Sequence, residues 1–276
     1  MNLAAGPTSP HALLEIAVEV AREAARLIVA ERPAGGPTVT ATKSSATDIV
    51  TEMDRRAESL IGRRLAERRP DDGFLGEESG ARQGRSGITW VVDPIDGTVN
   101  YLYEIPAYAV SIAARDGDRV VAGVVINARS GEEWTAVRGG GAFVDGRPTR
   151  VNAAVDLPLA LVATGFGYDP QRRARQASVL QQVLPRVRDV RRAGAASLDL
   201  CAVACGRVDA YYEQGLQPWD LAAGGLIAEE AGARVGGLLG RPAGEAFVLA
   251  APRALFETLG GLLAALGADR VGPSPE

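Results

Sequence analysis

The stretch Trp90–Tyr101, WVVDPIDGTVNY, predicts a buried strand that runs directly into two carboxylates and a glycine turn. The apolar letters at its start are typical of a core strand, and the proline fixes the backbone within the turn. We expect Asp93, the carbonyl of Ile95 and Asp96 to point to one side of this turn. Such a group suits a hard cation, which prefers oxygen ligands.

Two backbone N–H groups follow these carboxylates at a predicted helix start. They belong to Gly97 and Thr98, and donors in this position can hold a phosphate. The alternative for this segment alone is an ordinary strand-to-turn joint whose aspartates keep it soluble.

Two other parts of the sequence offer carboxylates. Glu77 and Glu78 follow a short predicted strand in FLGEESG, and adjacent carboxylates repel unless a positive charge holds them. A metal ion would supply that charge, although a solvated turn explains the pair equally well. Asp220 precedes the apolar helix LAAGGLIAEEAG, where it can be an N-cap and also a ligand. Capping alone is the more common role of such a residue.

These carboxylates form an all-oxygen set: Glu77, Asp93, Asp96 and Asp220. His11 is the only histidine, so neither a histidine triad nor a histidine-rich zinc site can be built. We expect Cys201 and Cys205 to be buried as small hydrophobic residues. The set therefore favours magnesium or manganese, and two such ions would bind a phosphate and activate a water.

Composition is that of a soluble globular protein, with 46% hydrophobic and 23% charged residues in 276. The formal net charge of -4 argues against nucleic acid as the main partner, because phosphate-tracking surfaces usually carry a basic excess. The first ten residues lack a signal-peptide pattern, and no apolar run approaches the roughly 20 residues that span a bilayer. We therefore predict a cytoplasmic protein without membrane contact.

Hydrophobic periodicity predicts a layered α/β fold. An amphipathic helix over 11–32 and a second helix over about 51–69 precede a strand-rich region. After Pro158, helices alternate with strands, the first of which is predicted over Leu159–Thr164. We predict a mixed α/β sandwich over 11–267, with halves of about 11–150 and 151–267. The segments 1–10 and 268–276 are predicted to be flexible tails.

Several motifs together resemble the inositol monophosphatase family. They are GEES, DPIDGT within the strand-to-helix stretch, KSSATDIVTEMD at Lys43–Asp54, and the late run from RRAGAASLDLC through DAYYEQGLQPWD. The resemblance extends over most of 11–265, and DPIDGT combined with a late WD is highly specific for the superfamily. Lys43 is also the only lysine among 30 basic residues, which by itself suggests a place where a compact ammonium is needed.

The resemblance implies an αβαβα sandwich, two or three Mg²⁺ per site with Mn²⁺ as a substitute, lithium inhibition and a homodimer. It implies metal-ligand roles for Glu77, Asp93, the Ile95 carbonyl, Asp96 and Asp220. Thr98 with Asp54 would position and deprotonate the attacking water, with Glu78 in support and Lys43 near the site. The amides of Gly97 and Thr98 would bind the phosphate.

The alcohol part of the substrate is implied by the same resemblance. Matching positions for hydroxyl contacts are Asp96, Gly194, Ala195, Ala196 and Glu213, with Asp220 beside them. Glu213 matters most, because a site built on hydrogen bonds to hydroxyls rejects substrates that lack them. Ala195 departs from family members with a hydroxyl residue there, which loosens the substrate assignment.

The predicted activity is Mg²⁺-dependent hydrolysis of inositol monophosphate, a small phosphate monoester. Relatives that share the metal motifs act on fructose bisphosphate, histidinol phosphate or nucleotide 3'-phosphates, and these remain alternatives. An alternative of another class is a regulatory role in which the fold binds a macromolecule such as the transcription machinery. A structural calcium-binding domain would need a ligand-dense loop, and the sequence contains no such loop.

Overall fold

The computed structural model describes residues 9–42 and 49–270. Its helices are α1 (Pro10–Ala30), α2 (Glu52–Arg68), α3 (Thr98–Tyr103), α4 (Pro170–Val183), α5 (Ala196–Ala204), α6 (Pro218–Glu230) and α7 (Arg253–Ala265). Its strands are β1 (Val39–Thr42), β2 (Ile49–Thr51), β3 (Gly73–Gly76), β4 (Gly80–Arg82), β5 (Ile88–Asp96), β6 (Ala109–Asp116), β7 (Arg119–Asn127), β8 (Glu133–Val137), β9 (Gly141–Val144), β10 (Arg147–Thr149), β11 (Leu161–Thr164), β12 (Asp189–Arg191), β13 (Ala210–Glu213), β14 (Arg234–Gly236) and β15 (Val248–Ala251).

The strands form two large sheets. The first has eight strands in the order β10-β9-β8-β7-β6-β5-β3-β4, and its β3–β5 pair is parallel whereas its other pairs are antiparallel. The second has five strands in the order β12-β11-β13-β15-β14, with β11 parallel to both of its neighbours. A separate antiparallel pair, β1 with β2, leads into α2.

Helices cover both faces of the first sheet. On the outer face, α1 and α2 bury side chains such as Leu13 and Ile61 in one core with Trp90 of β5. On the inner face, Leu226 of α6 belongs to a core with Val125 of β7. The buried residues of α1 recur at helical spacing, so they form one apolar stripe that packs against the outer face of the sheet.

The second sheet is covered in the same way. Leu200 of α5 packs in one core with Tyr211 of β13, whereas Leu259 of α7 and Val183 of α4 pack with Val162 of β11 on the far side. The layers therefore run α1 and α2, first sheet, α5 and α6, second sheet, α4 and α7. This order confirms the predicted αβαβα sandwich.

Two element boundaries differ from the sequence prediction for local reasons. Leu157–Leu159 forms a 3₁₀ turn, so the strand predicted from Leu159 begins at Leu161. Helix α6 begins at Pro218 instead of Leu221, because proline suits the first helical turn, where its missing N–H has no partner to lose. Within 9–42 and 49–270, the helices lack the combination of length and apolar character that crossing a bilayer requires.

Candidate active site

The DPIDGT segment adopts the predicted strand, turn and helix. Strand β5 ends at Asp96, Gly97 has a φ of 90°, and α3 begins at Thr98. A Cβ at Gly97 would lie 2.9 Å from the carbonyl oxygen of Ala107, so both the backbone angle and the space require glycine. The turn fixes the direction of the two aspartates that precede it.

Carboxylates from distant parts of the chain meet beside this turn. One oxygen each from Asp93, Asp96 and Asp220 can be chosen so that all lie within 4.8 Å of one another. Glu77, which follows β3, lines the same cavity, and its charge acts directly on Asp93 and Asp220. The structure thus brings together the four carboxylates that the sequence singled out.

Burial and mutual repulsion make the three aspartates hard to ionise. Burial is the main reason that the pKa of Asp93 lies well above its usual range, and the charges of Glu77, Asp96 and Asp220 add to it. The pKa of Asp220 is raised in the same way, first by burial and then by Asp96 and Glu77. A divalent cation would remove this cost, and the donors are oxygen atoms throughout. The group therefore fits a hard metal ion.

Asp96 also joins the two halves of the cavity. Its carboxylate accepts hydrogen bonds from the backbone N–H of Ala196 at 3.2 Å and of Ser197 at 2.7 Å, and from the Ser197 hydroxyl. These donors form the first turn of α5, where the helix dipole favours a negative charge. These hydrogen bonds connect the DPIDGT turn to the GAAS segment at the start of α5.

A hydroxyl and a buried carboxylate form a second constellation. The Thr98 Oγ1 lies 3.1 Å from Asp54 Oδ1 and 3.0 Å from the Ile95 carbonyl oxygen, so its single proton can serve either acceptor. The other oxygen of Asp54 accepts from the backbone N–H and the hydroxyl of Thr51, which makes a capping box at the start of α2. Burial raises the pKa of Asp54 to about 6.

One turn further along α2, Glu58 supports the loop that carries the paired glutamates. Its buried carboxylate accepts the backbone N–H of Glu78 at 2.8 Å and of Ser79 at 2.7 Å. A Cβ at Gly76 would lie 2.4 Å from Glu58 Oε2, so glycine is needed for this approach. Sequence reasoning missed Glu58, because only the folded loop shows which amides it meets.

The cavity continues from the carboxylates toward the second sheet. It has a volume of about 460 Å³, within the range usual for small-molecule sites, and the predicted substrate residues that line it are Asp96, Gly97, Thr98, Gly194, Ala195, Ala196, Glu213 and Asp220. Ile95 lines it as well. Phe166, Tyr168, Arg172 and Arg192 line it too.

Glu213, at the end of β13, lines this cavity from the second sheet. The Tyr211 hydroxyl donates to Glu213 Oε2 at 2.7 Å, while burial raises the pKa of Glu213 to about 7. Asp199, on the buried side of α5, has a pKa raised to about 8, first by burial and then by the charges of Glu213 and Asp96. Asp199 and Tyr211 were not identified from the sequence as parts of the site.

The sequence comparison decides the family. The sequence model of the inositol monophosphatase family matches residues 9–271. The chain belongs to this family. It is 47% identical over 274 residues to the inositol-1-monophosphatase SuhB of Mycobacterium tuberculosis strain H37Rv, covering 92% of this chain and 94% of that protein. It is 39% identical over 232 residues to the Nus factor SuhB of Escherichia coli strain K12, covering 83% and 86%.

Solved structures of inositol monophosphatases share the fold. Mycobacterium tuberculosis SuhB superposes with a TM-score of 0.81 at 42% identity, and the match covers 96% of this chain and 100% of that one. SaIMPase-II, solved with inositol monophosphate bound, superposes with a TM-score of 0.76 at 26% identity, covering 93% and 96%. Family membership makes this chain a phosphatase.

Of the predicted site residues, Asp220 differs from the prediction in its capping role, and Lys43 is not among the residues that the structure describes. Asp220 is not the N-cap of α6: Gln217 is, and Asp220 lies three residues later, where its carboxylate accepts the Gln217 N–H at 2.7 Å. The reason is that Pro218 already occupies the first helical position. Lys43 lies outside the described residues, so its place near the site stays a prediction.

The sequence predicted that both cysteines are buried as small hydrophobic residues, and the structure confirms this for Cys201. Cys201 is fully buried in the core of α5 and the first sheet, and Cys205 is half-buried at the end of the helix. Burial raises the pKa of the Cys201 thiol well above its usual range, so this sulfur is unreactive.

Proposed function

We propose that this chain is a Mg²⁺-dependent phosphatase that hydrolyses inositol monophosphate to inositol and inorganic phosphate. The observation that carries the proposal is the convergence of Asp93, Asp96 and Asp220 beside the Thr98–Asp54 pair, in one cavity with Glu213. The names of the relatives and the inositol monophosphate bound to SaIMPase-II support the choice of substrate.

The metal ions would be held by Glu77, Asp93, the Ile95 carbonyl, Asp96 and Asp220. When bound, they supply Lewis-acid stabilisation of the phosphoryl oxygens and make a water more acidic. All-oxygen ligands favour Mg²⁺, with Mn²⁺ as a substitute. Bound cations would neutralise the repulsion between the buried carboxylates described above.

The chain's own residues position the reaction. Thr98 Oγ1 orients the attacking water. The Thr98 hydroxyl takes a proton from this water as it passes its own proton to Asp54, to which it is hydrogen-bonded. The backbone N–H groups of Gly97 and Thr98 hold the phosphate at the start of α3. The water oxygen bonds to phosphorus as the bond from phosphorus to the inositol oxygen breaks, and that oxygen takes up a proton.

Recognition of the alcohol falls to Glu213 and to the segment at the start of α5. Glu213 accepts hydrogen bonds from ring hydroxyls, and the Gly194–Ala196 backbone lies beside it. Alcohols without such hydroxyls offer the Glu213 carboxylate no donor beyond the one from Tyr211, and this lost pairing is the cost that gives a site its selectivity.

A phosphate-release assay on a panel of monoesters tests the proposal. We expect inositol 1-phosphate to be preferred, with turnover that requires Mg²⁺ and is inhibited by lithium. Turnover should be lost in Asp93→Asn and kept in Asp118→Asn, an exposed aspartate in the β6–β7 turn. A preference for histidinol phosphate, fructose bisphosphate or a nucleotide 3'-phosphate would refute the substrate assignment.

A regulatory role is the second candidate, because the Escherichia coli relative is named a Nus factor. Complementation in a host that lacks its own relative separates the two roles. If Asp93→Asn restored the whole cellular phenotype without measurable turnover, a binding role would be the better account. A homodimer is part of the proposal, and sedimentation velocity of the purified chain tests it.

A further inference from the structure

Gly165 stands directly beside Glu213 in the second sheet. Strand β11 ends at Thr164, which pairs in parallel with Tyr212 of β13, and the Thr164 hydroxyl donates to the Tyr212 carbonyl oxygen at 2.9 Å. The next residues along each strand are Gly165 and Glu213. Because side chains alternate between the faces of a sheet, both positions point to the face that α5 covers.

The carboxylate of Glu213 occupies the space that a side chain at Gly165 would need. A Cβ built on Gly165 would lie 1.8 Å from Glu213 Oε2, 2.2 Å from its Cδ and 2.4 Å from its Oε1. Ordinary van der Waals contact begins at 3.4 Å. Any residue with a Cβ therefore forces the carboxylate to move by more than an ångström.

Tyr211 holds the same carboxylate by a hydrogen bond. Its ring is fully buried between α5 and the sheet, and its hydroxyl donates to Glu213 Oε2 at 2.7 Å. Gly165 leaves room for the carboxylate and Tyr211 holds it there, at the wall of the cavity that Ala196 also lines.

The geometry points to Gly165 as a specificity-determining residue: its missing side chain holds the Glu213 carboxylate where the hydroxyls of a polyol phosphate reach it. This inference rests on the proposed function and extends it to a residue that contacts the recognition group instead of the reacting atoms. The collision caused by a methyl group would be with the far end of a flexible side chain, so the cost to the fold is small and the cost to recognition is large.

The test compares Gly165→Ala with Gly261→Ala, the same substitution at a position on α7 where a Cβ meets nothing within 4 Å. The measured quantity is selectivity, the kcat/KM for inositol 1-phosphate divided by that for p-nitrophenyl phosphate, whose alcohol has no ring hydroxyls. We expect Gly165→Ala to lower this ratio about 10- to 100-fold, the value of a hydrogen bond to a charged group, with a near-unchanged Tm. Gly261→Ala should keep the wild-type ratio.

A double-mutant cycle shows whether Gly165 acts through Glu213. If it does, Gly165→Ala lowers selectivity no further in a Glu213→Ala background, because the displaced group is already gone. Wild-type selectivity in Gly165→Ala, equal losses on both substrates, a further fall in the double variant, or failure of Gly165→Ala to fold would each overturn the inference. A wild-type protein without preference for inositol 1-phosphate would instead refute the proposed substrate, and the inference with it.

Discussion

Replacing Glu58 by glutamine should weaken metal binding although Glu58 is not among the proposed ligands. The wild-type carboxylate accepts two backbone N–H groups, those of Glu78 and Ser79, in the loop that also carries Glu77. A glutamine side chain offers one oxygen and one NH₂ group, so one amide keeps an acceptor and the other faces a donor. The loop should then shift, and Glu77 with it.

The magnitude follows from these two contacts. A hydrogen bond to a charged group contributes about 1.5–3 kcal/mol, and an unpaired buried N–H costs a similar amount. We expect Glu58→Gln to lower the free energy of unfolding of the metal-free protein by about 2–3 kcal/mol. Loss of a residue that orients a ligand typically reduces metal affinity about 10- to 100-fold, and we expect that range for Mn²⁺.

Two measurements on the purified chain check this. Urea unfolding in the presence of a chelator gives the stability change, and electron paramagnetic resonance of free Mn²⁺ gives the affinity without any assay of activity. Glu67→Gln is the matched control, since that glutamate lies on the same helix, is half exposed and pairs only at the surface with Arg64. Unchanged Mn²⁺ affinity in a destabilised Glu58→Gln protein would refute the positioning role.

Three further perturbations test other contacts of the site. Burial raises the pKa of Asp199 to about 8 and of Glu213 to about 7, above their unfolded values, so the metal-free protein should lose stability as pH rises from 5 to 8; a Tm that increases over this range would contradict it. Asp54→Asn should lower kcat about 10²- to 10⁴-fold, with Mn²⁺ affinity kept; wild-type kcat would exclude Asp54 as the proton acceptor. Ser197→Ala removes one of three donors to Asp96 and should raise the half-saturating Mg²⁺ concentration about tenfold; an unchanged concentration would show that the two amides suffice.

Local sequence determined much of this site. The DPIDGT turn was predictable because a strand, a proline and a glycine with positive φ act within a few residues of one another. The grouping of Asp220 with Asp93 rested on the shared oxygen chemistry of their side chains and on the family resemblance, since 127 residues separate them in sequence. Its role as N-cap was wrong because the helix prediction relied on the apolar run and overlooked the helix-starting preference of Pro218.

The residues that sequence reasoning missed act through tertiary contacts. Glu58 reads as one more polar position on an amphipathic helix, and Ser197 as an ordinary residue in a helix start. Their partners come from other elements: the loop after β3 for Glu58 and the end of β5 for Ser197. The sequence around Gly165 did not predict the role proposed for it, because that role depends on the space it leaves for the Glu213 carboxylate of a neighbouring strand.

The bonds from Asp96 to the first turn of α5 join parts of the proposed site that lie in different layers, and this division has a consequence for how such a protein diversifies. The hydrolytic groups of the proposed site come from the first sheet and from α2, α3 and α6, whereas Glu213 ends a strand of the second sheet and Gly165 follows its neighbour β11. Substitutions on that second sheet can alter which alcohol is accepted without disturbing the water or the phosphate. Members of such a lineage could therefore acquire new substrates through substitutions in the second sheet, while the residues of the other layers keep the same hydrolytic chemistry.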